Sequence, residues 1–121
     1  MLGGQFVDHP GGDKVSYNVR FRTGDPIVQG LDDVNVISEQ YYLLVDPAVT
    51  VLATTDINGG PKVWLAGTEM PVAWKRTWGM GKVFYCALGH TVDTLRLDAV
   101  ATMLSRAIEW ACRTRVSVGG V

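Results

Sequence analysis

The chain has 121 residues, 47% of them apolar and 19% charged, with a formal net charge of −1. That is the composition of one globular domain, and its length lets it bury roughly two-thirds of its unfolded surface without a disulfide or structural metal. The near-neutral balance excludes a phosphate-binding surface, because nucleic-acid recognition needs clustered Lys and Arg to displace counterions, and the 11 basic residues here are scattered.

No basic stretch followed by an apolar one opens the chain at Met1-Leu2-Gly3-Gly4-Gln5, so no signal peptide is expected. Pro10-Gly11-Gly12-Asp13 reads as a first turn. Val15, Tyr17, Val19 and Phe21 then alternate with polar residues, which predicts a half-buried strand over Val15–Arg22. Gly24-Asp25-Pro26 stops it, and Pro26–Leu31 predicts one helical turn ending at Gly30. Val34–Ile37 begins another extended piece, leading into Ser38-Glu39-Gln40-Tyr41-Tyr42. The β-branched run Val49–Thr55 reads as a strand, and Asn58-Gly59-Gly60-Pro61 as a loop.

Pro71–Thr77 and Lys82–Leu88 flank Trp78-Gly79-Met80-Gly81, the pattern of a β-hairpin. Val83–Leu88 is the longest apolar run, far short of the ~20 residues that cross a bilayer. Its lack of polar alternation predicts a strand buried on both faces. Asp98 is a plausible N-cap for a helix to Arg113, with Ala101, Leu104, Ile108 and Ala111 on its core face and Arg106, Glu109 and Arg113 opposite. The folded domain is expected over 1–113, with a flexible tail over 114–121. A doubly buried strand asks for cover on two faces, and one strong helix covers only one.

Chemistry-bearing residues are few. His90 follows Leu88-Gly89 at the exit of the buried strand, where ligands gather in open α/β sheets. It reads as a general base, a metal ligand or a hydrogen-bonded loop anchor. His9 sits in a loop before Pro10. Glu39, between Ile37 and two tyrosines, is either a partly desolvated carboxylate suited to acid–base work or a solvated turn residue. Among the tryptophans, Trp74 and Trp110 are expected in the core, and Trp64 and Trp78 on the surface, where an aromatic face suits a sugar ring. Cys86 and Cys112 form no C-x-x-C pair and read as small hydrophobes in a reducing, cytoplasmic setting. G-x-S-x-G, Walker A, G-x-G-x-x-G and H-E-x-x-H signatures are absent.

Gly3-Gly4-Gln5-Phe6-Val7-Asp8-His9-Pro10, the run from Pro71-Val72-Ala73-Trp74 through Gly79-Met80-Gly81-Lys82-Val83-Phe84-Tyr85 to Leu88-Gly89-His90-Thr91, and Ala107-Ile108-Glu109-Trp110-Ala111 together resemble the ThuA-like (trehalose utilisation) family. The hairpin-to-histidine run is the specific part. The resemblance implies a flavodoxin-like, class I glutamine amidotransferase-like three-layer α/β domain. This chain would be its latter part, a mixed sheet with a β-hairpin and a C-terminal helix. Thr91-Val92-Asp93 stands where amidotransferases carry Pro-Glu after the histidine, which argues against glutaminase activity. Glu39 with Tyr41-Tyr42 is similar to the family's D-E-x-Y stretch, with Ser38 in place of the Asp.

The resemblance further implies a role in catabolism of trehalose or a related disaccharide. The expected pocket holds a small-molecule sugar, with Glu39 and His90 catalytic and His9, Tyr42 and Thr91 contacting substrate. His9, Glu39 and His90 are also candidate ligands for a divalent metal, provided the fold gathers them. No nucleic acid or membrane is expected as partner. A second copy, or a preceding half of the domain, would cover the sheet. The alternative is a non-catalytic carbohydrate-binding or protein-interaction module that associates through an exposed sheet.

Overall fold

The alternation of Val15, Tyr17 and Val19 becomes a strand in the computed structural model, which describes residues 1–113. The tail expected over 114–121 lies outside the described residues. In chain order the elements are β1 (Gly4–Asp8), β2 (Val15–Phe21), β3 (Val34–Ser38), β4 (Tyr42–Val45), β5 (Thr50–Asp56), β6 (Glu69–Trp78), β7 (Gly81–Cys86), α1 (Val92–Leu95) and α2 (Asp98–Cys112). A short 3-10 turn occupies Val63–Leu65. Pro26–Leu31 forms successive turns instead of a helix, with Ile27 and Val28 buried.

The result is an α/β chain in which strands outweigh helices. Five strands form one sheet in the order β3-β2-β5-β6-β7, and β1 pairs with β4 in a separate ribbon. Every strand pairing among the described residues is antiparallel, which corrects the expected mixed sheet. The two-residue Gly79-Met80 connection forces β6 and β7 antiparallel, and the twelve-residue connections from β2 to β3 and from β5 to β6 contain no α-helix of the kind that carries a crossover between parallel neighbours.

The apolar strand β7 is not buried on both faces. It is the last strand of the sheet, and its residues are half-buried. Burial on both faces belongs to the inner strands instead, at Leu52 and Ala53 of β5 and Val72, Ala73 and Trp74 of β6. An edge strand lacks a neighbour to screen one side, so its apolar run earns less shielding than the same run in mid-sheet.

One face of the sheet packs on α2. Val100, Met103 and Ala107 of the helix join Tyr17, Val19, Leu52, Val72 and Leu88 in the main core. Each large side chain so withdrawn from water contributes roughly 1.5–3 kcal/mol. This stripe is rotated from the expected one: Ala101, Ile108 and Ala111 are exposed, and of that set only Leu104 packs against the core. Two apolar stripes run side by side on this helix, and the sheet selects the one that spacing alone did not rank first. Leu97, not Asp98, is the N-cap, and Asp98 lies in the first turn, where its charge favours the helix dipole. At the other end the Lys82 ammonium donates to the carbonyls of Trp110 and Arg113, both at 3.0 Å, and so satisfies orphan carbonyls of α2.

The second core gathers Leu43, Ile57, Met70 and Trp74. Its cover is the β1–β4 ribbon, which spacing did not reveal. Trp74 stacks on Tyr85 at 4.1 Å and donates its indole N–H to the Leu2 carbonyl. A Cβ at Gly4 would stand 2.7 Å from the Trp74 ring, so glycine there is what lets the ribbon lie on the indole. No helix among the described residues is long and apolar enough to cross a membrane.

Candidate functional site

The site begins where β2 leaves β5. These strands pair only at Arg20 with Thr54 and Phe21 with Ala53. Further along, side chains replace the ladder: the Thr55 hydroxyl donates to the Asn18 carbonyl at 2.7 Å. At this end of the sheet the segments that follow the two edge strands, β3 and β7, approach each other. Glu39, just past β3, and His90, just past β7, meet there with Glu39 Oε2 3.7 Å from His90 Nδ1.

That separation is too long for a hydrogen bond but within ion-pair reach when the imidazole is protonated. The carboxylate is the sheltered partner, with 16% of its side chain exposed against 41% for His90. Because Nδ1 faces the carboxylate, Nε2 lies on the far side of the ring.

Backbone anchors hold Glu39 in place. Gln40 is fully buried, donates to Thr55 Oγ1 at 3.0 Å and to the Asp56 carbonyl at 2.9 Å, and accepts from the Asn58 amide at 2.8 Å. On the other side the Tyr17 hydroxyl donates to the Glu39 carbonyl at 2.9 Å. Glu39, Gln40 and Tyr41 form the short link between β3 and β4. Burial first, and then the Glu39 carboxylate, raise the Tyr41 hydroxyl above its ordinary pKa. Tyr17 is raised further, chiefly by burial, with Cys86, Tyr41 and Glu39 adding to it. Burial also pushes the Cys86 thiol up to about 11, against the opposing hydrogen bond from the Leu88 amide. At neutral pH it is a protonated, weakly nucleophilic sulfur.

His9 reaches this neighbourhood through aromatic contacts. Its ring lies 6.1 Å from Phe6, and Phe6 meets Tyr41 edge-on at 5.0 Å. The His9 loop is pinned by the His9 amide donating to Asp8 Oδ1 at 2.8 Å and by an Asp8–Lys62 ion pair. His9 Nδ1 is buried with no hydrogen-bond partner among the described residues.

Tyr42 opens β4 opposite Asp8, and both tyrosines pack against the Leu43–Trp74 core, but Tyr41 is the one whose hydroxyl the Glu39 carboxylate perturbs. Thr91 is exposed at the N-cap of α1, its hydroxyl making no capping bond. With His90 it lines an open groove of about 500 Å³ that also takes in Lys14, Asn35, Ile37 and Asp93. Among the described residues no three His, Cys, Asp or Glu side chains gather in a metal-binding group. His9, Glu39 and His90 are thus not assembled as a three-donor set.

A model of the ThuA family, described as trehalose utilisation, matches residues 1–111. The chain belongs to the ThuA family. No curated protein and no solved structure matches it. In this ThuA protein Glu39 and His90 come together with Tyr41, one of the two tyrosines that follow Glu39 in the sequence, beside them. Phe6, the aromatic neighbour of Tyr41, and the anchor Gln40 carry no signal in spacing. Trp64 and Trp78 are exposed and Trp74 fully buried, as their positions suggested, and Trp110 lies against the core under the ammonium groups of Lys75 and Lys82.

Proposed function

We propose that Glu39 and His90 form the acid–base centre of a site that binds and processes trehalose or a related disaccharide. The observation that carries this reading is the 3.7 Å approach of Glu39 Oε2 to His90 Nδ1 in the segments that follow the two edge strands. His90 Nε2 exchanges a proton with a hydroxyl or bridging oxygen of the sugar. Glu39 orients the ring and stabilises the imidazolium. Such a positioned proton carrier contributes about 10²–10⁴-fold to rate. Thr91 and the groove beside His90 provide hydroxyl contacts, with Tyr42 and His9 assigned to the periphery of the site.

The reading also takes the five-stranded sheet and α2 as the latter part of a flavodoxin-like, glutamine amidotransferase-like domain, working in the cytoplasm. The two free cysteines support a reducing compartment. The test is turnover and calorimetric binding of trehalose by the unsubstituted protein, Glu39→Gln and His90→Gln. Loss of turnover in both variants supports the reading; full turnover in either overturns it.

A separate observation favours the second reading, a module that associates with another chain. Val83 and Phe84 on the edge strand β7, with Leu104, Ile108 and Ala111 of α2, line an open, mainly apolar groove, and Ile108 is 65% exposed. Light scattering tests it: a dimer that Ile108→Glu dissolves supports association, and a monomer at all concentrations contradicts it.

A further inference from the structure

Tyr41 packs against the Leu43–Trp74 core, but neither proton transfer nor core packing accounts for its aromatic neighbour Phe6. Phe6 is 50% exposed on β1, whose neighbours Gln5 and Val7 also face solvent. A phenylalanine so placed forgoes much of the stabilisation that full burial would give it. Its ring is nonetheless held from two directions. Tyr41 meets it at an interplanar angle of 79°, and His9 lies nearly parallel at 29°. Both supports are themselves fixed, Tyr41 by the buried Gln40 beside it and His9 by the Asp8 and Gly12 hydrogen bonds of its loop. An exposed aromatic ring locked in orientation is what a ligand with an apolar face requires, because no ordering entropy is then lost on binding.

We infer that Phe6 is the stacking residue for one pyranose ring of the sugar handled at Glu39 and His90, with Tyr41 as its buttress. The C–H face of a pyranose is apolar while its rim carries hydroxyls, so it matches a half-exposed ring that adjoins charged and hydroxyl-bearing side chains. The order Phe6, Tyr41, Glu39, His90 sets the aromatic surface on one flank of the acid–base pair. A two-ring sugar then places one ring on Phe6 and presents its linkage toward His90. This inference rests on the sugar-processing reading above and adds the residue that selects for a ring on that flank.

The experiment uses the full chain with trehalose as probe and compares Phe6→Leu, Phe6→Trp and Glu39→Gln by calorimetry, turnover and saturation-transfer NMR. Leucine keeps apolar bulk without a ring face, whereas tryptophan keeps the face. Stacking of this kind predicts trehalose binding about tenfold weaker in Phe6→Leu, with KM raised more than kcat falls, and near-native binding in Phe6→Trp. Saturating the aromatic protons should transfer to the sugar's ring protons in the unsubstituted chain and fade in Phe6→Leu. Phe6→Leu binding trehalose like the unsubstituted chain while Glu39→Gln loses turnover overturns the stacking role and leaves the acid–base reading standing. An unsubstituted chain that neither binds nor turns over trehalose overturns both.

Discussion

Glu39 and His90 stand at opposite edges of a five-stranded sheet, yet Oε2 of one lies 3.7 Å from Nδ1 of the other. Between those edges β2 pairs with β5 only at Arg20 and Phe21, and toward the start of β2 the Thr55 and Gln40 side chains bridge the gap. Gln40→Ala removes three hydrogen bonds from a fully buried position, and each group left unsatisfied costs about 1–3 kcal/mol. Denaturant unfolding should show a clear loss of stability, and sugar turnover should fall as Glu39 shifts. A native midpoint would show that Gln40 is not the anchor.

The face that α2 buries separates two otherwise similar substitutions. Met103→Ala empties a fully buried site and should destabilise by about 2–5 kcal/mol, while Ile108→Ala, at an exposed position, should stay within about 0.5 kcal/mol. Equal costs would return the helix to the face its periodicity first suggested.

The two thiols should differ in reactivity. Cys86 is pushed up to about 11 by burial, whereas Cys112 is exposed. Iodoacetamide at pH 8 should label Cys112 in the folded chain well before Cys86. A folded pKa above the ordinary 9.0 means the associated stability is present below pH 9.0 and is lost as pH rises toward about 11. Cys86→Ala should flatten that part of the alkaline unfolding curve; an unchanged curve would count against it.

Acid should act through three surface carboxylates held below the ordinary 3.8. Lys62 lowers Asp8, the Ala48 amide and then Arg76 lower Asp46, and Arg20 lowers Asp56. Because their folded values are depressed, their contribution is present above pH 3.8 and disappears as pH falls below it. All three are open to solvent, so added salt should weaken the effect. Thermal melts between pH 5 and pH 2, at low and high salt, check this; a melting temperature flat across that range contradicts it.

Much of the main sheet was legible because its signals are local. Val15, Tyr17 and Val19 alternate, and the hairpin closes where Trp78 pairs with Gly81. The β1–β4 ribbon was not, since Phe6, Val7 and Leu44 face solvent and mimic a loop's indifference to pattern. The doubly buried strand was assigned to β7 because Thr54 and Thr55 disguise β5, although both are buried and Thr55 is hydrogen-bonded. Glu39 and His90 can be named from motif and strand exit, but their meeting is a tertiary contact that no spacing records. Spacing likewise does not decide between Tyr41 and Tyr42, since which tyrosine lies beside Glu39 depends on where β4 begins.

The most direct test is a double-mutant cycle on trehalose turnover with Glu39→Gln, His90→Gln and the double variant. The account predicts a drop of about 10²–10⁴-fold for His90→Gln, a smaller drop for Glu39→Gln, and a double variant no worse than His90→Gln alone, because the two act as one unit. Losses that multiply independently, or native turnover in either single variant, would contradict it.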